Sequence, residues 1–356
     1  MIILDGKQGG GQMLRTALAL SALTQKPFRM INIRSTRANP GLAPQHLTCV
    51  RALKTLCDAK TDGDEIGSQE LLFIPSKFKA KNHTIDIGTA GSVTLLLQSL
   101  LLPSLFAPKP FTLKIIGGTN VSHSVPVDNF SNTILPYYRL AGGVETRLIK
   151  RGYYPRGGGE IEIAFTPEIN RNNFDRFDDF IKLVSHKGFI LTEKGNLAAI
   201  KGISHASDNI SPRKVSERQA SSAQQALSSL NVPVDITSEY RETLSTGSGI
   251  SIWSAFEKDI EPKPRIGADI LGEPTQTSEQ VGQKAAKLLF ERLQNEAPID
   301  EHIADNLIPL IGVLRPSKIK IPHFTDHIMT NMEVCKAFLG DVYRQEENII
   351  MTNSPI

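Results

Sequence analysis

The hydrophobic pattern of the chain repeats three times in the same order. Each repeat has an apolar stretch typical of a buried helix, a proline-marked turn, and a short run typical of a strand. The predicted helices cover residues 15–23, 93–106 and 304–314, and the predicted strands cover residues 29–33, 112–116 and 319–321. Helix–turn–strand combinations are common, but the matched turns favour three related α/β units.

A polar, irregular segment follows each predicted strand and leads into a further helix. The segments are residues 34–37, 117–120 and 323–327, and the helices predicted after them cover residues 45–56, 127–140 and 329–339. Loops held by a rigid scaffold are a usual place for binding and catalytic groups. Three units packed together therefore predict one site near which these loops collect.

The third unit begins much later than the spacing of the first two predicts. The excess, residues 184–297, has predicted strands at 188–192, 197–203, 234–240 and 249–256 and predicted helices at 211–230 and 278–293. Ser211 followed by Pro212 is a helix start signal. The sequence predicts an α/β (α+β) fold, in which a large domain of three repeated units, residues 1–183 and 298–356, carries an inserted small α+β domain, residues 184–297.

Composition indicates an ordinary soluble protein. Hydrophobic residues make up 40% and charged residues 22% of the 356 residues. The longest apolar stretch, residues 93–106, is interrupted by Gln98 and Pro103 and is too short to span a bilayer. The three cysteines have no metal-ligand spacing, so neither a disulfide framework nor a zinc site is predicted. We expect a cytoplasmic protein with no membrane segment.

The net charge of +3 is too small to indicate a protein that wraps a long nucleic acid, but it allows a local basic pocket. Arg15, Arg34, Arg37 and Arg51 fall within one short stretch. Arg34 and Arg37 flank a turn before Pro40, where a planar guanidinium group can bind phosphate bidentately. Scattered surface arginines remain the alternative.

His327 is the most informative residue of the chain. It stands where a predicted strand gives way to a helix, beside Thr330 and Asn331. An imidazole close to neutral at physiological pH can act as a nucleophile. The alternative is a surface histidine that caps a helix.

Two runs of three glycines occur, at residues 9–11 and 157–159. Successive glycines permit positive φ and close backbone approach, so they suit turns that hold phosphate. The first run leads into a helix with Gln12 and Arg15, whose N-terminus could bind an anion. A single glycine run is more often only a turn, but the second lies within a more specific pattern, Arg-Gly-Tyr-Tyr-Pro-Arg-Gly-Gly-Gly-Glu-Ile, at residues 151–161.

This pattern resembles the signature of RNA 3'-terminal phosphate cyclases, and the resemblance covers nearly the whole chain. Its further motifs are Leu4-Asp5-Gly6, Gly9-Gly-Gly-Gln-x-x-Arg15, Ile33-Arg-x-x-Arg-x-x-Pro-Gly41, Gln45-His-Leu47, Gly88-Thr-Ala-Gly-Ser92, Gln98, Gly117-Gly-Thr119, Ala304-Asp305 and His327-x-x-Thr-Asn331. The family has a three-unit α/β domain with an inserted α+β domain, in agreement with the repeats.

The resemblance implies ATP-dependent conversion of an RNA 3'-phosphate end into a 2',3'-cyclic phosphodiester. His327 matches the family's nucleophile, which attacks the α-phosphorus of ATP, expels pyrophosphate and holds AMP. The RNA 3'-phosphate then takes the AMP, and the neighbouring 2'-hydroxyl closes the ring and releases AMP. A divalent cation, Mg²⁺ or Mn²⁺, is expected to assist, with ligands that the sequence leaves unknown.

Further roles carry over position by position. The positions matching the family's ATP contacts are Gln98, His302, Ile303, Ala304, Asp305 and Asn306. The positions matching residues needed for activity, on ATP phosphates or the RNA end, are Arg15, Arg34, Arg37, Gln45 and His46. For Gln98 the alternative is a buried polar residue with its hydrogen bonds satisfied, and for His46 it is a helix-terminal histidine.

The chain departs from the family pattern at several positions, which puts metal dependence and rate in question more than reaction type. Gln8 replaces the usual glutamate before the first glycine run, and the loop before it is two residues shorter. Pro44 stands where a basic residue is common, and His302 where an aromatic residue is common. The segment 120–123 lacks the usual proline.

Two rival functions remain open at this stage. One is a non-catalytic, cyclase-like RNA-binding protein of ribosome biogenesis, against which His327, Gln98 and Asp305 argue. The other is an enolpyruvyl-type transferase, which has related repeated units but uses anionic metabolites without ATP. The pattern at residues 151–161 argues against it. The sequence predicts no oligomeric state.

Overall fold

Three units with the same order of elements make up most of the structure, a computed structural model that describes residues 1–7, 9–257 and 261–355. Each unit has a strand, a helix, a parallel strand, a second helical segment and an antiparallel strand pair. The first unit consists of β1 (Ile2–Asp5), α1 (Gly10–Thr24), β2 (Phe28–Ile31), α2 (Pro44–Leu56), β3 (Lys60–Asp62) and β4 (Leu71–Ile74).

The second unit follows directly in the chain. It consists of β5 (His83–Asp86), α3 (Val93–Ser104), β6 (Phe111–Gly117), α4 (Val127–Asn129), a π-helical turn (Phe130–Ile134), α5 (Leu135–Tyr138), β7 (Gly143–Lys150) and β8 (Gly159–Thr166). The helix predicted over residues 127–140 is thus interrupted. Pro136 explains the wider turn, because proline has no N–H to donate and its ring crowds the preceding turn.

The third unit is interrupted by an insert. After α6 (Phe177–Val184) come β9 (Ile190–Leu191) and then the insert, which consists of β10 (Asn196–Ser207), α7 (Val215–Leu227), β11 (Val234–Arg241), β12 (Ser248–Glu257), β13 (Gly267–Leu271) and α8 (Ser278–Gln294). The unit resumes with α9 (Glu301–Val313), β14 (Lys318–Lys320), α10 (Asp326–Leu339), β15 (Tyr343–Glu346) and β16 (Ile349–Thr352).

The sheets confirm the repeat. Their strand orders are β1-β2-β4-β3, β5-β6-β8-β7 and β9-β14-β16-β15, which are equivalent position by position. In each sheet the first two strands are parallel and the second pairs antiparallel with its other neighbour. The α/β (α+β) class with three repeated units is therefore confirmed.

The helices that join the parallel strands lie at the centre of the molecule. All residues of α1 from Gln12 to Thr24 are buried, and most of α3 and α9 is buried as well. A helix buried on every side is apolar all round. This burial explains the long apolar stretches, and in the described part of the chain no helix is long and apolar enough to cross a membrane.

The strand predicted at residues 188–192 does not join the insert. It forms as β9 and pairs in parallel with β14, and Phe189 and Leu191 belong to the large hydrophobic core. The insert has a second core between β10–β13 and its two helices, extending from Ile200 to Leu289. The strand β13 was not predicted. The division into domains stays a proposal, and the pairing of β9 favours an insert that begins after Leu191.

The glycine-rich segment 151–161 joins the second unit to the insert. Arg151, with 1% of its side chain exposed, donates from Nη1 and Nη2 to Asp128 Oδ2 and Oδ1 at 2.7 and 2.9 Å. Its Nε donates to Glu239 Oε1 in β11 at 2.5 Å. Burial alone would raise the pKa of Asp128, but the Arg151 guanidinium outweighs burial and holds that pKa below its usual range.

The glycines of this segment allow close packing at the same junction. Gly157 and Gly158 have φ of 66° and 72°. A Cβ on Gly158 would lie 2.3 Å from Leu244 of the insert, and a Cβ on Gly157 would lie 2.8 Å from the Ala90 Cα. Glycine is therefore required here for contact between chain segments.

A second junction links the insert to α9. Asp300 caps this helix, because its Oδ1 accepts from the backbone N–H groups of His302 and Ile303, both at 2.9 Å. Its Oδ2 accepts from the Gly267 N–H in β13 at 2.8 Å. The insert therefore contacts the start of the helix that contains residues 302–306.

We expect Arg151→Ala to lower the free energy of unfolding by about 3–5 kcal/mol, because Asp128 is left buried without its ionic partner. Urea unfolding followed by circular dichroism measures the loss. Arg147, whose exposed side chain pairs with Glu162 at 2.5 Å, is the matched control, and Arg147→Ala should change stability little. Equal losses in the two variants would contradict a special contribution from the buried pair.

Candidate active site

Asp305 is the centre of a buried polar network formed by helices of all three units. Its Oδ1 accepts from Gln12 Nε2 in α1 and from Asn331 Nδ2 in α10, the latter at 2.7 Å. Asn331 Oδ1 accepts from Thr16 Oγ1 at 2.6 Å. With its Oδ1 held from two sides, Asp305 directs Oδ2 towards His327, whose Nδ1 lies 3.8 Å away.

His327 lies on the exposed side of this network, in the first turn of α10. The helix is capped by Thr325, whose Oγ1 accepts from the Ile328 N–H at 3.1 Å, so His327 is not the cap. Its side chain is 68% exposed. The Asp305 carboxylate raises the pKa of His327 above its ordinary value, while partial burial and Arg15 oppose this shift. An exposed imidazole beside a mostly buried carboxylate is a suitable nucleophile or base.

A chain of hydrogen bonds connects Arg15 to the same helices. Arg15 Nε donates to Gln98 Oε1 at 2.8 Å, and Gln98 Nε2 donates to Asn306 Oδ1 at 3.0 Å. The Asn306 carbonyl accepts from the Tyr138 hydroxyl at 2.8 Å. Burial lowers the pKa of Arg15, which Asp305 partly offsets, but a guanidinium group stays charged. Gln98 therefore orients a buried cation.

The residues expected to contact ATP are not equally accessible. His302 is exposed and Asp305 is partly exposed, whereas Ile303 and Ala304 are buried in the core and Asn306 lies in the network. The cavity among these polar side chains is about 20 Å³, which has room for about one water molecule. A nucleotide does not fit in that cavity, whereas the imidazoles of His302 and His327 are exposed.

His46 packs against the first glycine run. A Cβ on Gly11 would lie 2.0 Å from His46 Nε2, so this position requires glycine. The His46 Nδ1 accepts from the Ala43 N–H at 3.2 Å, which leaves the ring proton on Nε2. Burial, with Arg15 and Arg34 adding repulsion, lowers the pKa of His46 to about 3. His46 is thus a neutral donor at the start of α1.

The other predicted site residues lie around this turn. Arg34 has a φ of 51°, and its Nη1 donates to the Gly41 carbonyl at 2.7 Å, so part of its guanidinium holds its own loop. Arg37 is exposed, and its Nη2 lies near Gly10. Gln45, next to His46, approaches Gly91 of the loop before α3. These residues form a polar, cationic border on one side of the glycine turn.

The expected divalent cation has no dedicated protein site in the described residues. No group of three or more His, Cys, Asp or Glu side chains converges there. Asp305 Oδ1 already accepts hydrogen bonds from Gln12 and Asn331, and Oδ2 faces His327 Nδ1 at 3.8 Å. Gln8, on which the question of metal dependence rests, lies outside the described residues.

Gln12, Thr16, Asn331 and Tyr138 belong to the network but were given no role from the sequence. Two of them carried a usable signal. Gln12 precedes Arg15 by three positions and Asn331 follows His327 by four, so each lies on the same helix face as a predicted site residue. Thr16 and Tyr138 become site residues only through tertiary contacts.

Comparison with known proteins identifies the family of the chain. The family model described as RNA 3'-terminal phosphate cyclase matches residues 6–344. The chain is 41% identical over 346 residues to the RNA 3'-terminal phosphate cyclase of Pyrococcus furiosus, covering 96% of this chain and 94% of the relative. The proteins of the same name from Saccharolobus islandicus and Archaeoglobus fulgidus are 42% and 39% identical, over 95% and 99% of this chain and 94% and 99% of theirs.

The chain belongs to the RNA 3'-terminal phosphate cyclase family. The matched range includes the second unit, the insert, and the helices that supply Gln12, Gln98, Asp305 and His327. The resemblance stated from the sequence motifs is thereby confirmed. The enolpyruvyl-type alternative is set aside, because the cyclase model matches nearly the whole chain.

We expect Gly11→Ala to disrupt the site without unfolding the protein. The new methyl group would overlap the His46 imidazole and displace it, at a cost of about 1–3 kcal/mol. A double-mutant cycle with His46→Ala measures the effect, since removing the ring should relieve most of the destabilisation. Additive losses of unfolding free energy would mean that the two groups do not contact each other.

Proposed function

We propose that this protein uses ATP to convert the 3'-terminal phosphate of an RNA into a 2',3'-cyclic phosphodiester, with His327 as the nucleophile. Membership in the cyclase family supports the reaction class. The observation that carries the assignment is the exposed His327 imidazole with Nδ1 facing Asp305. A carboxylate 3.8 Å from Nδ1 favours the proton on that nitrogen, which leaves the lone pair of Nε2 free for attack.

In the first step, Nε2 of His327 attacks the α-phosphorus of ATP. The nitrogen–phosphorus bond forms as the bond to the bridging oxygen breaks, and pyrophosphate leaves with the electron pair. The ring keeps its Nδ1 proton and gains positive charge in the AMP adduct. Asp305, fixed by Gln12 and Asn331, is placed to stabilise that charge.

In the second step, an oxygen of the RNA 3'-phosphate attacks the same phosphorus and the bond to His327 breaks. The neighbouring 2'-hydroxyl loses its proton and attacks the RNA phosphorus, and AMP leaves. Because this last attack is intramolecular, correct positioning of the RNA end supplies much of the acceleration. AMP and pyrophosphate are the by-products.

The cationic border, together with Arg15 and His46, is proposed to bind the phosphates of ATP or of the RNA end. Arg15 provides a buried charge and Arg37 an exposed one, while neutral His46 donates from Nε2. Arg34 and Gln45 complete the border beside them. Gln98 would act through Arg15, and His302 and Asp305 are the accessible members of the expected ATP-binding set.

We expect His327→Ala to abolish formation of an AMP adduct while leaving the unfolding free energy nearly unchanged, because the side chain is 68% exposed. Intact-protein mass spectrometry after incubation with ATP and a divalent cation detects the adduct. His323→Ala is the matched control and should keep the adduct, since His323 is also exposed but precedes the helix.

An adduct on the His327→Ala protein would refute the nucleophile assignment. A folded wild-type protein that forms no adduct under any of these conditions would favour the alternative, a non-catalytic cyclase-like RNA-binding protein of ribosome biogenesis.

We expect Asp305→Asn to shift the acidic limb of the pH profile of adduct formation to lower pH. The nucleophile must be neutral, and the carboxylate raises the pKa of His327, so removing its charge lowers that pKa. The rate on the plateau should nevertheless fall by roughly 10²–10⁴-fold, because the imidazole loses its orienting acceptor. Single-turnover rates across pH measure both effects.

Asp326→Asn provides an internal comparison. Asp326 also raises the pKa of His327, but less strongly than Asp305 does. Its replacement should shift the limb in the same direction by a smaller amount and leave the plateau nearly unchanged. An acidic limb that stays in place in Asp305→Asn would show that His327 is not the titrating group.

A further inference from the structure

An exposed basic and aromatic surface lies where the second unit meets the insert. We define the junction surface as Lys150, Tyr154, Arg156, Arg241 and Leu244. Tyr154 is 75% exposed and Leu244 is 53% exposed, which is unusual for side chains of this size. A cleft of about 380 Å³, lined by Lys150, Arg241 and Leu244 among others, opens between the end of β7 and the loop after β11.

The positive charge of the junction surface is available to a ligand. Within the described part of the chain no carboxylate lies within ion-pair distance of Lys150 or Arg156. Arg241 Nη2 lies 3.3 Å from Glu239 Oε2, and the other oxygen of Glu239 pairs with Arg151. One exposed carboxylate, Glu242, lines the same cleft. An anionic ligand with flat apolar groups therefore matches this surface better than a cationic or purely apolar one.

The junction surface is continuous with the candidate active site. The turn that bears Tyr154 and Arg156 continues into Gly157, whose backbone packs on Ala90. Ala90 lies in the loop before α3. The next residue of that loop, Gly91, lies against Gln45, since a Cβ on Gly91 would be 3.2 Å from the Gln45 Cβ.

The path ends at the glycine turn, because His46 follows Gln45 and packs on Gly11 at the start of α1. Tyr154 and Arg156 are exposed, and Ala90, Gly91 and Gln45 are partly exposed, whereas Gly157 between them is buried.

We propose that the junction surface binds single-stranded RNA a few nucleotides upstream of the 3'-phosphate, with a base stacked on Tyr154 and phosphates held by Lys150, Arg156 and Arg241. This proposal rests on the proposed function for the identity of the strand. Stacking on an aromatic ring together with a basic groove is the usual way to hold single strands without reading their sequence. The surface makes affinity depend on RNA length.

Tryptophan fluorescence tests the contact directly. The chain has a single tryptophan, Trp253, which is 7% exposed, so a Tyr154→Trp protein gains a new exposed reporter. Titration with an RNA of about ten nucleotides that ends in a 3'-hydroxyl should quench this reporter, whereas a dinucleotide should not. No ATP is present, so the result does not depend on the chemistry at His327. An unchanged signal with the longer RNA would refute the proposal.

Kinetics with 3'-phosphate RNAs separates RNA binding from chemistry. Tyr154→Ala and Arg156→Gln should raise KM about tenfold for the longer RNA but not for a dinucleotide, with adduct formation from ATP alone unchanged. In a plot of the log of the binding constant against the log of the salt concentration, Arg156→Gln should also reduce the slope by about 0.7. Glu242→Gln should lower KM for the longer RNA, since it removes a repelling charge.

Arg176→Gln is the matched control, because Arg176 is an exposed arginine next to α6 with a long ion pair of 3.5 Å to Asp178. It should change none of these values. Equal effects on short and long RNA, or none on either, would overturn the proposal and leave a protein partner as the ligand of this surface. In a further outcome, the wild-type protein forms no AMP adduct while the longer RNA still quenches the fluorescence of the Tyr154→Trp protein. That combination would refute the proposed function and support the RNA-binding surface.

Discussion

The Asp305 carboxylate imposes the constraint on which the rest of the site depends. A charge that is mostly removed from water is tolerated only if its oxygens have donors or a cationic partner. Gln12 and Asn331 satisfy one oxygen, and His327 faces the other. These partners come from α1 and α10, so the carboxylate has its hydrogen-bond donors only when the first and third units are packed together.

The second unit is connected to this network by the Gln98 side-chain amide, which contacts the Arg15 guanidinium and the Asn306 amide. Gln98 accepts from Arg15 and donates to Asn306, which fixes α3 against α1 and α9. Each unit thus supplies part of one polar network at the centre of an otherwise apolar helix cluster. Buried polar groups make their hydrogen bonds in one arrangement only, so they specify how helices that are apolar on every side are oriented.

The insert is joined to this framework by a different interaction. Arg151 and Asp128 form a buried pair, and Glu239 of the insert completes it. Asp300 joins β13 to the start of α9. Because both junctions rely on buried charges, the insert is held in a defined position near the helix that contains Asp305. The glycines at 157 and 158 remove the side chains that would separate the two parts.

The sequence by itself determined the repeat, most of the long helices and the candidate nucleophile, because these follow from local hydrophobic pattern, turn residues and motif spacing. The three units, the insert's helices and the exposed position of His327 all follow from such signals. Only the tertiary structure decided that β9 belongs to the third sheet, since a two-residue strand has no periodicity and its partner lies in β14. It alone also decided that Thr16 and Tyr138 support the site, because their partners are 315 and 168 residues away in the chain.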